Sequence, residues 1–266
     1  MRRYVFFLLL SCFFIVPVFI VPETSYGFDL KGYQPVQPEG VFSTFSAETH
    51  AEGTAALGLD LEQSVDPSFN RFTSTFTYAF TDNIEFGLTA PYRFSTSNEY
   101  GFEDISLGFK HRVLDEDNYF LAASYLLSAS IPSGKDSITT DGRMGGGLIL
   151  SKKLGPFRTH LNLLYFRPDK ETLQDEYDAA VGADLSVSHG IDILAELVFK
   201  KSHFTRELDL VEGRIGYRYK PTDYFYTTFG VGTDMYHGNP NFRIFITATF
   251  LYPGNKTKIK HIEEGY

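Results

Sequence analysis

The sequence predicts an all-β protein, a transmembrane antiparallel up-and-down β-barrel of about twelve strands. Three observations support this fold class. Apolar and polar residues alternate over long segments, the number of these segments is even, and the connections between them are short and long in turn. Outer-membrane barrels have all three features, because their apolar residues occupy every second position of each strand.

The composition agrees with a barrel and excludes a helical membrane protein. The chain is 43% hydrophobic and 16% aromatic, yet its mean hydropathy is only -0.15. Beyond the N-terminus it has no apolar run of the roughly 20 residues that a membrane helix requires. A soluble β-sandwich has a similar composition, so the strand pattern has to separate the two folds.

The stretch from Arg71 to Phe94 shows the alternation most clearly. Phe76 and Phe86 lie on the apolar face of its two limbs, and Glu85 and Arg93 lie on the polar face. The limbs are joined by a short polar turn, which predicts an antiparallel hairpin. Each limb has roughly 11 residues, the length that a tilted strand needs to cross a bilayer.

The eleven connections between the predicted strands carry independent information about topology. The predicted strands span 53–65, 71–80, 84–94, 104–113, 119–131, 144–153, 157–165, 177–187, 191–200, 211–219, 225–236 and 242–252. We interpret the connections after the even-numbered strands as short turns and the others as longer polar loops, whereas a sandwich mixes connection lengths. Hydrocarbon offers no hydrogen-bond partner to a strand edge, so the sheet is expected to close, with its apolar face towards lipid.

The N-terminus predicts export. Arg2 and Arg3 precede a long apolar run. The small residues Ser25 and Gly27 then occupy the two positions that determine cleavage, which indicates a signal peptide over 1–27. Residues 28–52 are interpreted as a periplasmic lead-in or a segment inside the lumen, 53–253 as the outer-membrane barrel and 254–266 as a periplasmic tail. We therefore expect the outer membrane of a Gram-negative-type bacterium, with both termini in the periplasm.

Charged residues recur on the inward face of the predicted strands. They predict either a polar pathway whose charges select solutes or an interior filled by its own ion pairs, because twelve strands lie between filled and open barrels. The lumen-lining candidates are Glu85, Arg93, Asp104, Lys110, Arg112, Arg158, His160, Asp184, Glu196, Glu212, Arg214, Arg218, Asp234 and Arg243.

No motif predicts catalysis, a cofactor or a metal site. A barrel lipase needs a serine and a histidine with an orienting third group, and no serine is linked by a motif to His111 or His160. The net charge is -9 and the sequence forms no basic stripe, so nucleic acid is not expected as a partner. The expected partners are outer-membrane lipids, a small-molecule solute and, during insertion, the barrel-assembly machinery; the oligomeric state stays open.

Several stretches resemble a known family, the outer-membrane transporter-like proteins assigned to the MetA pathway of phenol degradation. The stretches that carry the resemblance are Tyr78–Tyr92, Gly101–Arg112, Ser130–Asp136 and Leu150–Gly155. Ala79 and Glu103 depart from it, since the family usually has glycine at both positions. The resemblance implies a barrel that helps aromatic or other apolar compounds cross the outer membrane.

Three functions follow from these features. The first is a channel for passive passage of small solutes, including aromatic or apolar ones. The second is a closed structural, ligand-binding or adhesion barrel that acts through its long outer loops. The third is an outer-membrane lipolytic barrel, which would depend on His160 or His111.

Overall fold

The computed structural model describes residues 32–36, 40–65, 69–95, 100–134, 139–203, 205–236 and 242–254. The predicted signal peptide and all but the first residue of the predicted tail lie outside these ranges. In the part of the chain that is described, no helix is long and apolar enough to cross a membrane.

The described chain forms thirteen strands that run antiparallel to their neighbours. They are β1 Ala55–Ser64, β2 Phe69–Thr81, β3 Ile84–Ser95, β4 Gly101–Phe102, β5 Ile105–Leu114, β6 Ala122–Ile131, β7 Arg143–Leu154, β8 Phe157–Pro168, β9 Glu176–Ser188, β10 Ile191–Lys201, β11 Leu210–Thr222, β12 Phe225–Asp234 and β13 Phe242–Tyr252. The short β4 and the following β5 both pair with β3, so they are two pieces of one barrel strand.

The sheet is closed. β1 pairs with β2 on one side and with β13 on the other, while the remaining strands pair in sequence order. With β4 and β5 counted as one strand, this is the predicted twelve-stranded up-and-down barrel, and the predicted fold class is confirmed. The fourth predicted strand, 104–113, begins one residue later, at Ile105. Glu103 and Asp104 separate it from β4, and the Asp104 carboxylate accepts hydrogen bonds from Thr139 and Thr140 of the loop after β6.

The two ends of the barrel differ in their connections. At the short-turn end, residues 82–83, 155–156, 189–190 and 223–224 join strands directly, and 115–121 make a longer link. The long-loop end holds the connections around 65–68, 96–100, 132–142, 169–175, 202–209 and 235–241. The expected alternation therefore has one irregularity, since the link after β5 is longer than the loop after β1.

The two faces of the wall have opposite chemistry. On β2 the outward Phe76 is 46% exposed, whereas its neighbour Thr77 is 2% exposed. Apolar side chains cover the outside all round the barrel, and Leu88, Leu127 and Phe250 are typical of them. The residues buried inside are mainly charged or hydroxylated. This is the inverse of a soluble protein and the arrangement that a surrounding of lipid requires.

The lumen contains the chain segment that precedes the first strand. Residues 32–36 and 40–54, called the plug below, run inside the barrel, and Val41, Phe45 and Ala47 are at most 3% exposed. A backbone bridge between Gly40 and Phe45 folds part of the plug onto itself. The described part of 28–52, residues 32–36 and 40–52, therefore lies inside the lumen.

Candidate solute pathway

Polar side chains of the wall hold the plug near the short-turn end. Glu85 on β3 accepts hydrogen bonds from the backbone N–H of His50, 3.1 Å, and ion-pairs with Lys110 of β5 at 2.7 Å. Lys110 also donates to the carbonyl oxygens of Ser46 and Glu48. Glu85 thus accepts from a backbone N–H of the plug, and Lys110 donates to two of its carbonyl groups, while the two side chains neutralise each other. A buried ion pair is tolerated when its remaining hydrogen-bonding groups are satisfied in this way.

A second anchor lies at mid-height on the opposite side of the lumen. Glu196 of β10 accepts from the Ser43 N–H at 3.1 Å and from the hydroxyls of Ser43 and Thr44 at 2.7 and 2.5 Å. Arg214 on β11 bridges Glu196 and the Ser43 hydroxyl, and Arg218 donates to the Gly40 carbonyl. The predicted lumen-lining charges thus bind the plug through its backbone and hydroxyl groups.

Two pairs of wall glycines form seats for aromatic rings of the plug. Gly87 and Gly108 are cross-strand partners, and any side chain on either would overlap the ring of Tyr33. The Tyr33 hydroxyl forms a hydrogen bond of 2.9 Å with Thr77 Oγ1 on β2. Close approach of a ring to the backbone is possible only where the wall has no side chain.

The second seat repeats this arrangement on another part of the wall. Gly216 and Gly230 are also cross-strand partners, and the Phe42 ring lies over both. Phe42 also packs against Phe245, with ring centroids 5.7 Å apart. The plug is thus fitted to the wall by shape as well as by hydrogen bonds.

A network of arginines and glutamates lies on the lumen wall above the plug. Arg71 bridges Glu62 and Glu103 at 3.0 and 3.1 Å, and Glu103 also pairs with Arg93 at 2.7 Å. Arg243 continues the network, since it lies 2.7 Å from the Glu62 carboxylate. Glu62 and Glu103 each pair with two arginines, so each of these buried carboxylates has cationic partners.

A separate cluster centres on Glu176 at the long-loop end. This carboxylate is fully buried and accepts from Arg143 at 2.6 Å, Lys200 at 3.0 Å and His203 at 3.2 Å. Arg143 additionally lies over the Phe166 ring, 4.5 Å from its centroid. One carboxylate therefore contacts two cations, from β7 and β10, and a histidine of the loop that follows β10.

The loop end carries one more anchored carboxylate, Asp104. Its oxygens accept from the hydroxyls of Thr139 and Thr140 at 2.5 and 2.6 Å and from the Thr140 N–H at 2.7 Å. Burial raises the pKa of this carboxyl, but the hydrogen bonds from Thr139 and Thr140 outweigh burial and lower it below its ordinary value. The loop is thus attached to the rim by an ionised side chain.

His160 has partners that the sequence does not reveal. Its Nδ1 lies 2.8 Å from Ser151 Oγ and its Nε2 lies 3.2 Å from Asp184, so a serine, a histidine and an aspartate stand in line. The Ser151 hydroxyl oxygen also accepts the Ala47 N–H at 2.8 Å. The plug therefore covers the atom that would act as a nucleophile, and the cluster in this state is a link between wall and plug.

The predicted lumen-lining residues divide into three groups by their place in the structure. Around the plug lie Glu85, Lys110, Arg112, Arg158, His160, Asp184, Glu196, Arg214 and Arg218; in the upper lumen lie Arg93, Glu212, Asp234 and Arg243; and Asp104 lies at the rim. Sequence reasoning missed Glu62, Arg71, Glu103, Arg143 and Glu176. Arg71 and Glu62 share the polar parity of their strands, so parity alone could have found them, whereas Glu103, Arg143 and Glu176 lie at strand ends or between strands.

The fold is similar to that of solved outer-membrane channels. An outer membrane channel from Pseudomonas putida F1 matches with a TM-score of 0.60 and 14% identity, covering 77% of this chain and 98% of that one. The NanC porin gives 0.59 at 8% identity, and the KdgM porin in complex with oligogalacturonate gives 0.54 at 12%; both cover 73% of this chain and 98% of their own.

The fold is that of an outer-membrane β-barrel. No protein-family model matches the chain, and no curated protein matches it either. The assignment to the phenol-degradation family therefore stays a prediction.

Proposed function

We propose that this protein is an outer-membrane channel for small solutes, which the plug closes in the state described here. The observation that carries the proposal is the way in which the plug is held. Its contacts with the wall are hydrogen bonds to inward polar side chains, ring contacts on glycines and one small apolar cluster with Leu126 and Ile149. When the plug leaves, Glu85, Lys110, Glu196 and Arg214 face water, as the wall of an aqueous channel does.

Location and direction form part of the same proposal. Short turns and both termini lie in the periplasm, and the long loops lie outside, which is the usual arrangement of such barrels. Solutes enter past the loop end and leave past the plug. The resemblance to the phenol-degradation family and the ring seats of the lumen favour aromatic or other apolar solutes.

A reversible covalent link between plug and wall tests the channel. The mature chain as predicted has no cysteine, since Cys12 lies in the signal peptide. Ala47 N and Ser151 Oγ are 2.8 Å apart, so these two residues are direct neighbours across the boundary of plug and wall, and Ala47→Cys/Ser151→Cys is the pair to oxidise. In planar bilayers we expect the oxidised variant to be silent and conductance to return on reduction. A variant that lacks 32–50 should conduct continuously.

The controls separate a closed barrel from an unfolded one. The Ser151→Cys single variant should show the same current with and without reductant. Every variant should shift its band when unboiled on a gel, which shows that the barrel is folded. If the barrel that lacks 32–50 is folded and still shows no conductance, the channel is rejected in favour of a closed structural or adhesion barrel.

The proposal includes no catalytic step, although the line of Ser151, His160 and Asp184 calls for a direct check. We expect a fluorophosphonate probe to leave Ser151 unlabelled in the wild-type barrel and in the variant without 32–50. The physical reason is that a nucleophilic serine also needs donors placed to stabilise an oxyanion. Labelling that disappears in Ser151→Ala and His160→Ala would instead support the lipolytic barrel.

A further inference from the structure

Among the buried donors of the lumen wall that have no hydrogen-bond partner in the described residues, three lie side by side. They are Ser106 Oγ, Ser130 Oγ and Arg143 Nη2. Ser106 on β5 pairs in register with Ser130 on β6, which pairs with Arg143 on β7, so the three are neighbours on one inward row. Ser106 and Arg143 are only 1% and 3% exposed. Unsatisfied buried donors are costly, and a row of them indicates a missing acceptor.

The row lies next to the first glycine seat. Gly108 is two residues from Ser106 on β5 and therefore on the same face, roughly 6.8 Å along the strand. Ser128 and Gly145 continue the seat across β6 and β7. The donors and the seat thus form one surface, with small residues below and hydrogen-bond donors above.

The orientation of the Tyr33 ring on this surface indicates how a ligand ring in the same place would be oriented. Its Cγ end lies over Gly108, its hydroxyl end lies over Gly87, and the hydroxyl reaches Thr77. At the opposite end, Arg143 Nη2 points at Gly32, the residue before Tyr33. Tyr33 therefore occupies the space between a hydroxyl partner on β2 and an unpaired guanidinium nitrogen of β7.

We propose that this surface is a binding site for small aromatic carboxylates, which the Tyr33 ring occupies when the plug is in place. The solute ring takes the place of the Tyr33 ring on Gly87 and Gly108. Its carboxylate accepts from Arg143, Ser106 and Ser130, and a hydroxyl para to the carboxylate bonds to Thr77. The inference rests on the proposed function in that a solute reaches the site only when residues 32–36 move.

The charges of the site agree with such a ligand, because an unpaired guanidinium nitrogen lies on one side of Tyr33 and the Thr77 hydroxyl lies on the other. Arg143 already pairs with Glu176 through Nη1, so it is held in place while Nη2 remains to bind the carboxylate.

Removal of the Tyr33 side chain tests the site without requiring transport. Tyr33→Ala leaves a space of the size and shape of a phenol ring, and cavities of this kind bind the free ring compound. By calorimetry on the folded barrel in detergent, we expect 4-hydroxybenzoate to bind Tyr33→Ala at least about tenfold more tightly than wild type. Acetate, which lacks the ring, and 4-hydroxybenzyl alcohol, which lacks the charge, should bind at least about tenfold more weakly than 4-hydroxybenzoate.

Further variants in the Tyr33→Ala background assign the contacts. Arg143→Gln should weaken binding about tenfold or more, because it removes a charged donor. Since Arg143 also pairs with Glu176, a Ser106→Ala/Ser130→Ala variant offers a milder change that keeps the ion pair, and we expect a several-fold loss. Arg167→Gln, on the outer face of the adjacent strand, is the matched control and should bind as Tyr33→Ala does.

The results distinguish this inference from the proposed function. Equal binding of 4-hydroxybenzoate and 4-hydroxybenzyl alcohol, or binding that neither Arg143→Gln nor the serine variant reduces, would overturn the site even if the barrel without 32–50 conducts. Specific binding in a barrel that never conducts would keep the site and reject the channel.

Discussion

Phe76→Arg is expected to destabilise the barrel by about 2 to 4 kcal/mol, the cost of an arginine on the lipid face near the middle of a bilayer. Phe76 lies near the centre of β2, and its side chain is 46% exposed on the outer surface. Urea unfolding in lipid vesicles measures this loss directly. A variant as stable as the wild type would mean that this face does not contact hydrocarbon.

Thr77→Arg is the matched control on the other face of the same strand. Sequence alone predicts that it is tolerated, because a lumen accepts charge. The structure changes the expectation, since Thr77 is 2% exposed and bonds to the Tyr33 hydroxyl. We expect the arginine to displace Tyr33 and raise conductance while the barrel stays folded. A loss of stability equal to that of Phe76→Arg would contradict the assignment of the two faces.

Glu176→Gln is expected to cost about 3 to 5 kcal/mol of the free energy of unfolding, because it leaves Arg143 and Lys200 as buried cations without their shared carboxylate. The amide keeps nearly the same shape, so the loss reports charge and not packing. We expect the unfolding midpoint in urea to fall and the slope of the transition to stay constant.

Glu171→Gln serves as the control for this change. Glu171 is an exposed residue of the neighbouring loop between β8 and β9, where a charge contributes little. Its variant should unfold within about 0.5 kcal/mol of the wild type. If Glu176→Gln were equally mild, water would reach the cluster and the upper lumen would be open.

The sequence by itself determined the wall of this protein. Parity along Arg71 to Phe94 separates outward Phe76 from inward Thr77, and the even number of such segments predicts a closed barrel. These features can be predicted because each residue of a strand alternates between two unlike surroundings. The pattern is local, so it needs no knowledge of the partners across the sheet.

Tertiary structure alone decided what fills the lumen. Residues 32–36 and 40–54 carry little periodicity, and their place depends on wall side chains that are far away in sequence, as in the contact of Ser43 with Glu196. The alignment of Ser151, His160 and Asp184 likewise depends on strand register, which brings distant residues together. Parity could say that Ser106, Ser130 and Arg143 face inward, but only the packed structure shows that their donors are left without partners beside the ring of Tyr33. A hydrogen bond is set by distance and direction between two groups, and neither is encoded in the periodicity of a single strand.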